Sequence, residues 1–584
     1  MFILVEYYLQ TWYIVRAMSR SALHITKIIC ALLFLMSAFC MSAQIPADAD
    51  FWSNYPSEEL SEALIDRMTD EELLAQILMF GWAGQEPSSL LIQWVAERGL
   101  GSVKLFGWNT ENLEKVANSI TTVQQKSQSR RFRIPLYVAT DQEGGFVRHV
   151  KGNTSITPGN LAIGAGGYAY DAYWSGYYIN REIAALGINM NFAPTVDLYT
   201  NKNSTVIGTR SFGEDADNAG ILGASFAAGS LAAGVIPTAK HFPGHGGTDL
   251  DSHGRLPIID VSVATLNERE LVPFKYLVDN NIPAIMSAHL AFPQIEPEGA
   301  PASLSKSMLT GILREQMGYE GLIITDDMQM NGATLYAGAE SRAYELAIRA
   351  GNDILISSRC ASLEAGLWTH NLDLMRSDSE FREAVKTAAR RVVYTKMEYF
   401  KHSRHVELYP DVNKIAERIP DPEGQAFFLD QACRSITVFK KGTIPFKPAD
   451  SGRILLMGQV QAFPEFLTEG RKRYPRAKFF GFNYNLGPNE TQWVKDNLAA
   501  QLVDIDTVII CVADDRSTEI AEYLRDLGRH VIVLSIMSPV PVLGYGWAEA
   551  VLLGYSYSPY TFNALFGALA GEFEPQGKMP LYQR

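Results

Sequence analysis

Cysteine is scarce, with five in 584 residues. Cys30 and Cys40 fall in or beside an N-terminal apolar run, which leaves Cys360, Cys433 and Cys511 for the rest of the chain. Three cysteines so far apart make neither a disulfide framework nor a zinc site, and they are expected to be small buried hydrophobes. Basic residues are in deficit. Lys and Arg number 51 against 64 Asp and Glu, a formal net charge of -13. Such an acidic chain repels phosphate backbones, which argues against a nucleic-acid partner. Low-complexity tracts, short-period repeats and heptad runs are missing. The N-terminal apolar run, Ile28 to Phe39, is too short for a comfortable bilayer span.

That end of the chain has the order of an export signal. Arg20 and Lys27 precede the apolar run, and Ser42, Ala43 and Gln44 follow it. Residues 1–43 are therefore expected to be a signal peptide and the protein to be periplasmic or in the cell envelope, with a membrane anchor as the rival reading. Met41 stands where the cleavage pattern wants a small residue, and Met18 is an alternative start. Cys40 does not suit lipid attachment, because bulky Phe39 precedes it.

Hydrophobic residues make up 47% and charged residues 20%, an ordinary globular composition. Met68-Thr69-Asp70-Glu71-Glu72 predicts a helix start capped by Thr69 or Asp70. Short apolar runs then alternate with amphipathic stretches: 101–106, 134–140, 188–192, 235–239, 284–287, 322–325 and 353–357. This alternation predicts βα units and a parallel sheet, and so many runs predict a closed (β/α)8 barrel over residues 44–405. Pro410, Pro420 and Pro422 predict a linker over 406–430. Further runs at 453–457, 478–482, 507–512, 530–536 and 550–554 predict a smaller three-layer α/β sandwich domain over 431–584. It carries no G-x-G-x-x-G, so it is not read as nucleotide-binding.

Polar residues follow the apolar runs: Asp141, Lys240 with His241, His289 and Asp326. Strand C-termini build the active site of a parallel barrel. The densest segment is Lys240-His241-Phe242-Pro243-Gly244-His245-Gly246, continuing to Asp251-Ser252-His253, with three of the chain's ten histidines. Its glycines and proline predict a loop. Three uses are open on the residues alone: metal binding, hydrogen bonding to sugar hydroxyls, or acid–base catalysis by His253 oriented by Asp251. The spacing is irregular for zinc.

This segment resembles the K-H-F-P-G-H-G and D-S-H motif of the bacterial β-N-acetylhexosaminidases of glycoside hydrolase family 3. The resemblance extends to Asp141-Gln142-Glu143-Gly144-Gly145, to Asn191 through Asp197, to the loop around Arg210 and to Gly321 through Met328. It implies a retaining exo-β-N-acetylglucosaminidase acting on peptidoglycan fragments or chitin-type oligosaccharides. It implies Asp326 as nucleophile, with Asp327 as runner-up, and His253 held by Asp251 as acid–base. Asp141, Arg210, Lys240, His241 and His245 are implied to bind the sugar, and no cofactor or metal is implied. His289 is either site lining or a structural hydrogen bonder. His149 stands where the family often has arginine, with Arg148 one place earlier, and Gly247 stands where Asp is common. The rival readings are a glycosyl phosphorylase, a β-glucosidase of the same family and a non-enzymatic carbohydrate binder. The oligomeric state is not legible.

Overall fold

The computed structural model describes residues 45–250, 254–449 and 451–581. The expected signal segment 1–43 and the expected Asp251–His253 pair lie outside the described residues. Residues 45–49 and 53–55 are turn and bend, and the remainder forms one compact unit.

Its first part is a closed barrel of eight parallel strands in sequential order. They are β1 (Leu78–Phe80), β2 (Ser102–Lys104), β3 (Tyr137–Thr140), β4 (Met190–Asn191), β5 (Ile236–Phe242), β6 (Ala284–Ser287), β7 (Leu322–Asp327) and β8 (Ile354–Ser357). The ring closes where β1 pairs with both β8 and β2. Seven strands fall on the apolar runs. The eighth, β1, has only three residues and follows the helix Asp70–Gln76 with one residue between, so no run announces it. That helix starts as expected: Thr69 caps it, in a capping box with Glu72.

The helices around the barrel pack closely where glycine permits. Helix Ala169–Ala184 lies against helix Ala216–Ala232. A Cβ on Gly229 would stand 1.9 Å from the carbonyl oxygen of Tyr173, and one on Gly176 would stand 2.2 Å from that of Phe226. The backbones touch, so neither position accepts a side chain.

The second part is a six-stranded sheet: β9 (Thr437–Lys440), β10 (Ile454–Gly458), β11 (Lys478–Gly481), β12 (Thr507–Val512), β13 (Val531–Ser535) and β14 (Ala550–Leu553). Their spatial order is β9-β14-β13-β12-β10-β11, parallel except for the antiparallel edge strand β9. Alternate residues serve two cores. Leu455, Met457, Val508 and Ile510 pack with Val494 and Leu498 of helix Pro488–Gln501, whereas Ile454, Leu456, Ile509 and Cys511 pack with Phe562 and Phe566 of helix Pro559–Ala570. A period of two with helices on both faces makes three layers.

Two expectations are corrected. The expected linker 406–430 ends early, because helix Pro422–Ser435 begins inside it, capped by Asp421. Proline at the first helical position loses no hydrogen bond, so Pro422 opens the helix instead of breaking it. Phe427 and Phe428 of this helix join the core beneath barrel residues such as Ile179 and Phe226. The cysteines are also less uniform than expected. Cys511 is buried, but Cys360 and Cys433 are only half-buried.

Lys396, on helix Ser379–Met397, is fully buried under the barrel. Its ammonium donates to the Gly101 carbonyl at 2.7 Å and to Gln76 Oε1 at 3.3 Å, both neutral acceptors. Burial lowers its pKa from 10.5 to about 7. Below about pH 7 the folded protein bears the full cost of this charge. Between there and 10.5 the unfolded chain still binds a proton that the folded one has shed, so stability from this group rises with pH. Lys396→Met is expected to raise the melting temperature by on the order of a few °C at pH 6. By pH 10 the gain should have largely vanished; scanning calorimetry of both proteins across this range checks the trend, and a pH-independent difference would contradict it.

Candidate active site

The C-terminal ends of the barrel strands enclose a cavity of about 450 Å³. Its wall is built from charges that the strands deliver from distant parts of the chain. Asp141, one residue beyond β3, receives Lys240 of β5 on Oδ1 at 2.6 Å and Lys104 of β2 on Oδ2 at 2.9 Å. Lys240 also reaches Glu143 Oε1 at 2.7 Å. Arg210 grips Glu143 with two parallel bonds, Nε to Oε2 at 2.9 Å and Nη2 to Oε1 at 2.7 Å. All these groups are buried or nearly so. Burial would raise both carboxyl pKa values, but the cations outweigh it. Lys104 and Lys240 hold Asp141 well below the carboxylate range, and Arg210 with Lys240 holds Glu143 at about 2.

A second buried acid orients the histidines. Asp197, in the loop after β4, is fully buried. It accepts the ring Nδ1–H of His241 at 2.7 Å and the backbone N–H groups of His241 and His245, the latter at 2.6 Å. Burial works against its ionised form, but His241 and these bonds hold its pKa below the ordinary value. Nε2 of His241 then lies 3.4 Å from Arg210 Nη2. The loop that carries His245 lies against the backbone of the Asp197 loop. A Cβ on Gly246 would fall 1.5 Å from the Leu198 carbonyl oxygen.

The two acids at the end of β7 differ sharply. Asp327 Oδ1 accepts the backbone N–H groups of Gln329 and Ser358, each at 3.0 Å, so it caps a turn and ties β7 to the loop after β8. Asp326 faces the cavity and accepts the Asp327 N–H at 2.8 Å. Its enclosed position would raise its pKa, but His241, His289 and this N–H prevail and bring it to about 2. Asp326 is therefore an ionised carboxylate aimed at the cavity, which is what nucleophilic attack requires.

The expected sugar-binding residues Asp141, Arg210, Lys240, His241 and His245 all line this one cavity with Asp326. Several residues are placed in ways the sequence did not settle. His289 is fully buried, donates from Nε2 to the Asp327 carbonyl at 3.1 Å and pairs through Nδ1 with Ser303 Oγ at 2.6 Å, a structural role. Arg148 turns away and donates to the carbonyls of Lys151 and Thr154, whereas His149 faces the site with Nδ1 3.4 Å from Asp141 Oδ2. Glu143, held by Arg210 and Lys240, is locked as a carboxylate. Lys104 and Asp197 were not singled out. The signal for Lys104 was a lysine inside an apolar run, and that for Asp197 was its place at the end of N-F-A-P-T-V-D.

The second domain braces the loop that carries Arg210. The backbone N–H of Glu214 donates to the Pro580 carbonyl at 3.1 Å, and Tyr199 pairs with Ser538 Oγ at 2.8 Å. Leu161, Ala162 and Tyr199 from the barrel side share a core with Leu553 and Leu581.

Comparison with known proteins finds that residues 68–394 match the family described as "Glycosyl hydrolase family 3 N terminal domain". The chain is 33% identical over 328 residues to the beta-hexosaminidase A of Pseudoalteromonas piscicida, covering 51% of this chain and 54% of that protein. It thus spans about half the length of that relative. It is 35% identical over 270 residues to the beta-hexosaminidase of Pseudomonas aeruginosa strain LESB58, covering 46% of this chain and 78% of that protein. Among solved structures, a glycoside hydrolase family 3 beta-N-acetylglucosaminidase from Paenibacillus sp. str. FPU-7 superposes with a TM-score of 0.77 at 26% identity, over 88% of this chain and 99% of the other.

The Glu143–Arg210 pair sets a stability test. Arg210→Ala leaves a buried carboxylate with only Lys240 for compensation, and is expected to cost on the order of 3 kcal/mol. Adding Glu143→Gln removes the uncompensated charge, so the double variant should be more stable than the sum of the two single losses by at least about 1 kcal/mol. Denaturant unfolding of the four proteins gives this coupling; strict additivity would mean that the pair is not energetically linked.

Proposed function

The chain belongs to glycosyl hydrolase family 3, and from that premise we propose that it is a retaining exo-β-N-acetylhexosaminidase. It removes terminal β-linked N-acetylglucosamine from peptidoglycan fragments or chitin-type oligosaccharides. The observation that carries this reading is the contrast at the end of β7: Asp326 is ionised and faces a cavity walled by hydrogen-bonding groups, while Asp327 is committed to two backbone N–H groups.

In this reading the sugar lies in the cavity with its hydroxyls on the charged wall. Asp141 uses the remaining lone pairs of its two oxygens to accept hydroxyl protons, and Lys240 and Arg210 supply donors. Holding the wall through its own ion pairs means that it does not reorganise as charge develops at the anomeric carbon. Asp326 attacks that carbon, the bond to the leaving oxygen breaks, and His253 gives that oxygen its proton. His253 then takes a proton from water, which attacks the same carbon and releases Asp326. The assignment of His253, and of Asp251 as its orienting partner, rests on the D-S-H motif. The names of the relatives support the acetamido sugar: those compared are beta-hexosaminidases, and the Paenibacillus enzyme is a beta-N-acetylglucosaminidase. Export through residues 1–43 belongs to the same proposal, with a mature chain starting near Gln44. N-terminal sequencing of protein from the native envelope tests it, and a soluble cytoplasmic form beginning at Met18 would overturn it.

Asp326→Ala is expected to abolish turnover while leaving the fold intact, and a 2- or 5-fluoro glycoside should label Asp326 in the unaltered protein. Mass spectrometry of the labelled peptide decides; a label on Asp327 would refute the assignment. His253→Ala should slow hydrolysis of a disaccharide by roughly 10²–10⁴-fold. With a nitrophenyl glycoside it should instead give a burst, and azide should accelerate turnover by forming a β-glycosyl azide. Equal damage to both substrates with no azide effect would rule His253 out as the acid–base.

A further inference from the structure

A second cavity, of about 640 Å³, opens beside the first. It lies among the loops after β1, β2 and β8, lined by Trp82, Leu90, Trp108, Arg359 and Cys360. Trp108 and Ser358 wall both cavities. Ser358 is tied to the pair of acids on β7, since its N–H donates to Asp327 Oδ1. The two cavities therefore adjoin at Trp108 and Ser358, and Ser358 is bonded to the residue next to Asp326.

Trp108 is 51% exposed, yet it is held rigidly. Its ring lies flat on Phe106, with centroids 4.6 Å apart and planes 7° from parallel. Its indole N–H donates to the Trp82 carbonyl at 2.8 Å. Asn109 ties the loop together by donating to the same carbonyl at 3.1 Å and accepting the Phe106 N–H at 2.8 Å. Phe106 is itself backed by the Lys104 ammonium, 4.4 Å from its ring centroid. One face of the indole is thus covered, and its one polar hydrogen is already used. What remains at the lip is a fixed apolar plane. A rigid aromatic side chain loses little conformational freedom on binding. The C–H face of a pyranose ring packs well on such a plane, while its hydroxyls stay at the edges in water.

We infer that Trp108 is the platform for the sugar ring on the leaving-group side, and that the second cavity is the subsite for that ring. The protein then favours substrates whose leaving group is itself a pyranose over those with a small leaving group. This inference rests on the reading of the Asp326 cavity as a β-N-acetylhexosaminidase site and adds to it the residue that selects the second ring.

Two substrates separate the roles. N,N′-Diacetylchitobiose carries a second ring, and N-acetyl-β-glucosaminyl fluoride carries none. Trp108→Ala is expected to lower kcat/KM for the disaccharide by roughly 10- to 100-fold, the order expected from removing an apolar side-chain face that the ring had buried. The fluoride should lose much less than the disaccharide, and Trp108→Phe should recover much of the disaccharide rate, because it keeps a plane. Equal losses on both substrates would make Trp108 a structural residue, and no loss on either would mean that nothing stacks there; each overturns the inference. Binding is read separately from turnover in the Asp326→Ala protein, by calorimetric titration with chitobiose and with N-acetylglucosamine. The disaccharide should bind more tightly, and Trp108→Ala in that background should erase the difference. Failure of the unaltered protein to cleave either substrate would strike the proposed activity, whereas equal binding of the two sugars would strike the platform itself.

Discussion

Burying charge is costly, and the barrel mouth buries a great deal of it. Asp141 and Glu143 sit where water hardly reaches, and they stay ionised because Lys104, Lys240 and Arg210 stand within hydrogen-bond distance. Removing any one partner leaves another charge exposed to a low dielectric. The network therefore demands that β2, β3, β5 and the Arg210 loop all reach the same place at once. The same demand makes the site rigid: donors and acceptors already hold one another in position before a sugar arrives, which is the condition for electrostatic stabilisation of a transition state.

Within that frame, four acids of similar intrinsic strength take different work from their surroundings. Glu143 is held by a bidentate guanidinium and a lysine and serves as an anchor. Asp197 gathers one ring N–H and two backbone N–H groups, and so fixes the orientation of the His241 ring. Asp327 closes a turn. Asp326 is left as an ionised carboxylate on the cavity wall, with the Asp327 N–H as its hydrogen bond. Neither chain position nor residue type distinguishes Asp326 from Asp327; the bonds from Gln329 and Ser358 do.

The second domain contributes through shape. One of its two cores is shared with Leu161, Ala162 and Tyr199 of the barrel side, its C-terminal Pro580 bonds the backbone of Glu214 after the Arg210 loop, and Ser538 meets Tyr199. The loop between β4 and the next helix is long and carries both Asp197 and Arg210. Without support a loop of that length would sample many conformations, and the bidentate grip on Glu143 would be lost for part of the time.

Much was legible in the order of residues alone. Apolar runs of four to seven residues followed by polar ones located seven barrel strands and the residues at their mouths, because strand periodicity and strand ends are local properties. The Thr69 cap was legible for the same reason. The long motif around Lys240 to His253 implied the chemistry by resemblance. Tertiary structure decided what depends on distance. β1 is too short to leave a pattern and exists because β8 and β2 offer it partners on both sides. Pro422 reads as a break in the chain, yet it opens a helix because its missing N–H falls where none is needed. Lys104 reads as an interruption of an apolar run, and it becomes a site residue only when β2 lies beside β3 and Asp141. Whether Arg148 or His149 enters the cavity is settled by which backbone carbonyls the folded loop offers to the guanidinium. For β1, Lys104 and the Arg148–His149 choice the deciding partner is brought in by barrel closure or by the folded loop, and no pattern of neighbouring residues can encode that encounter.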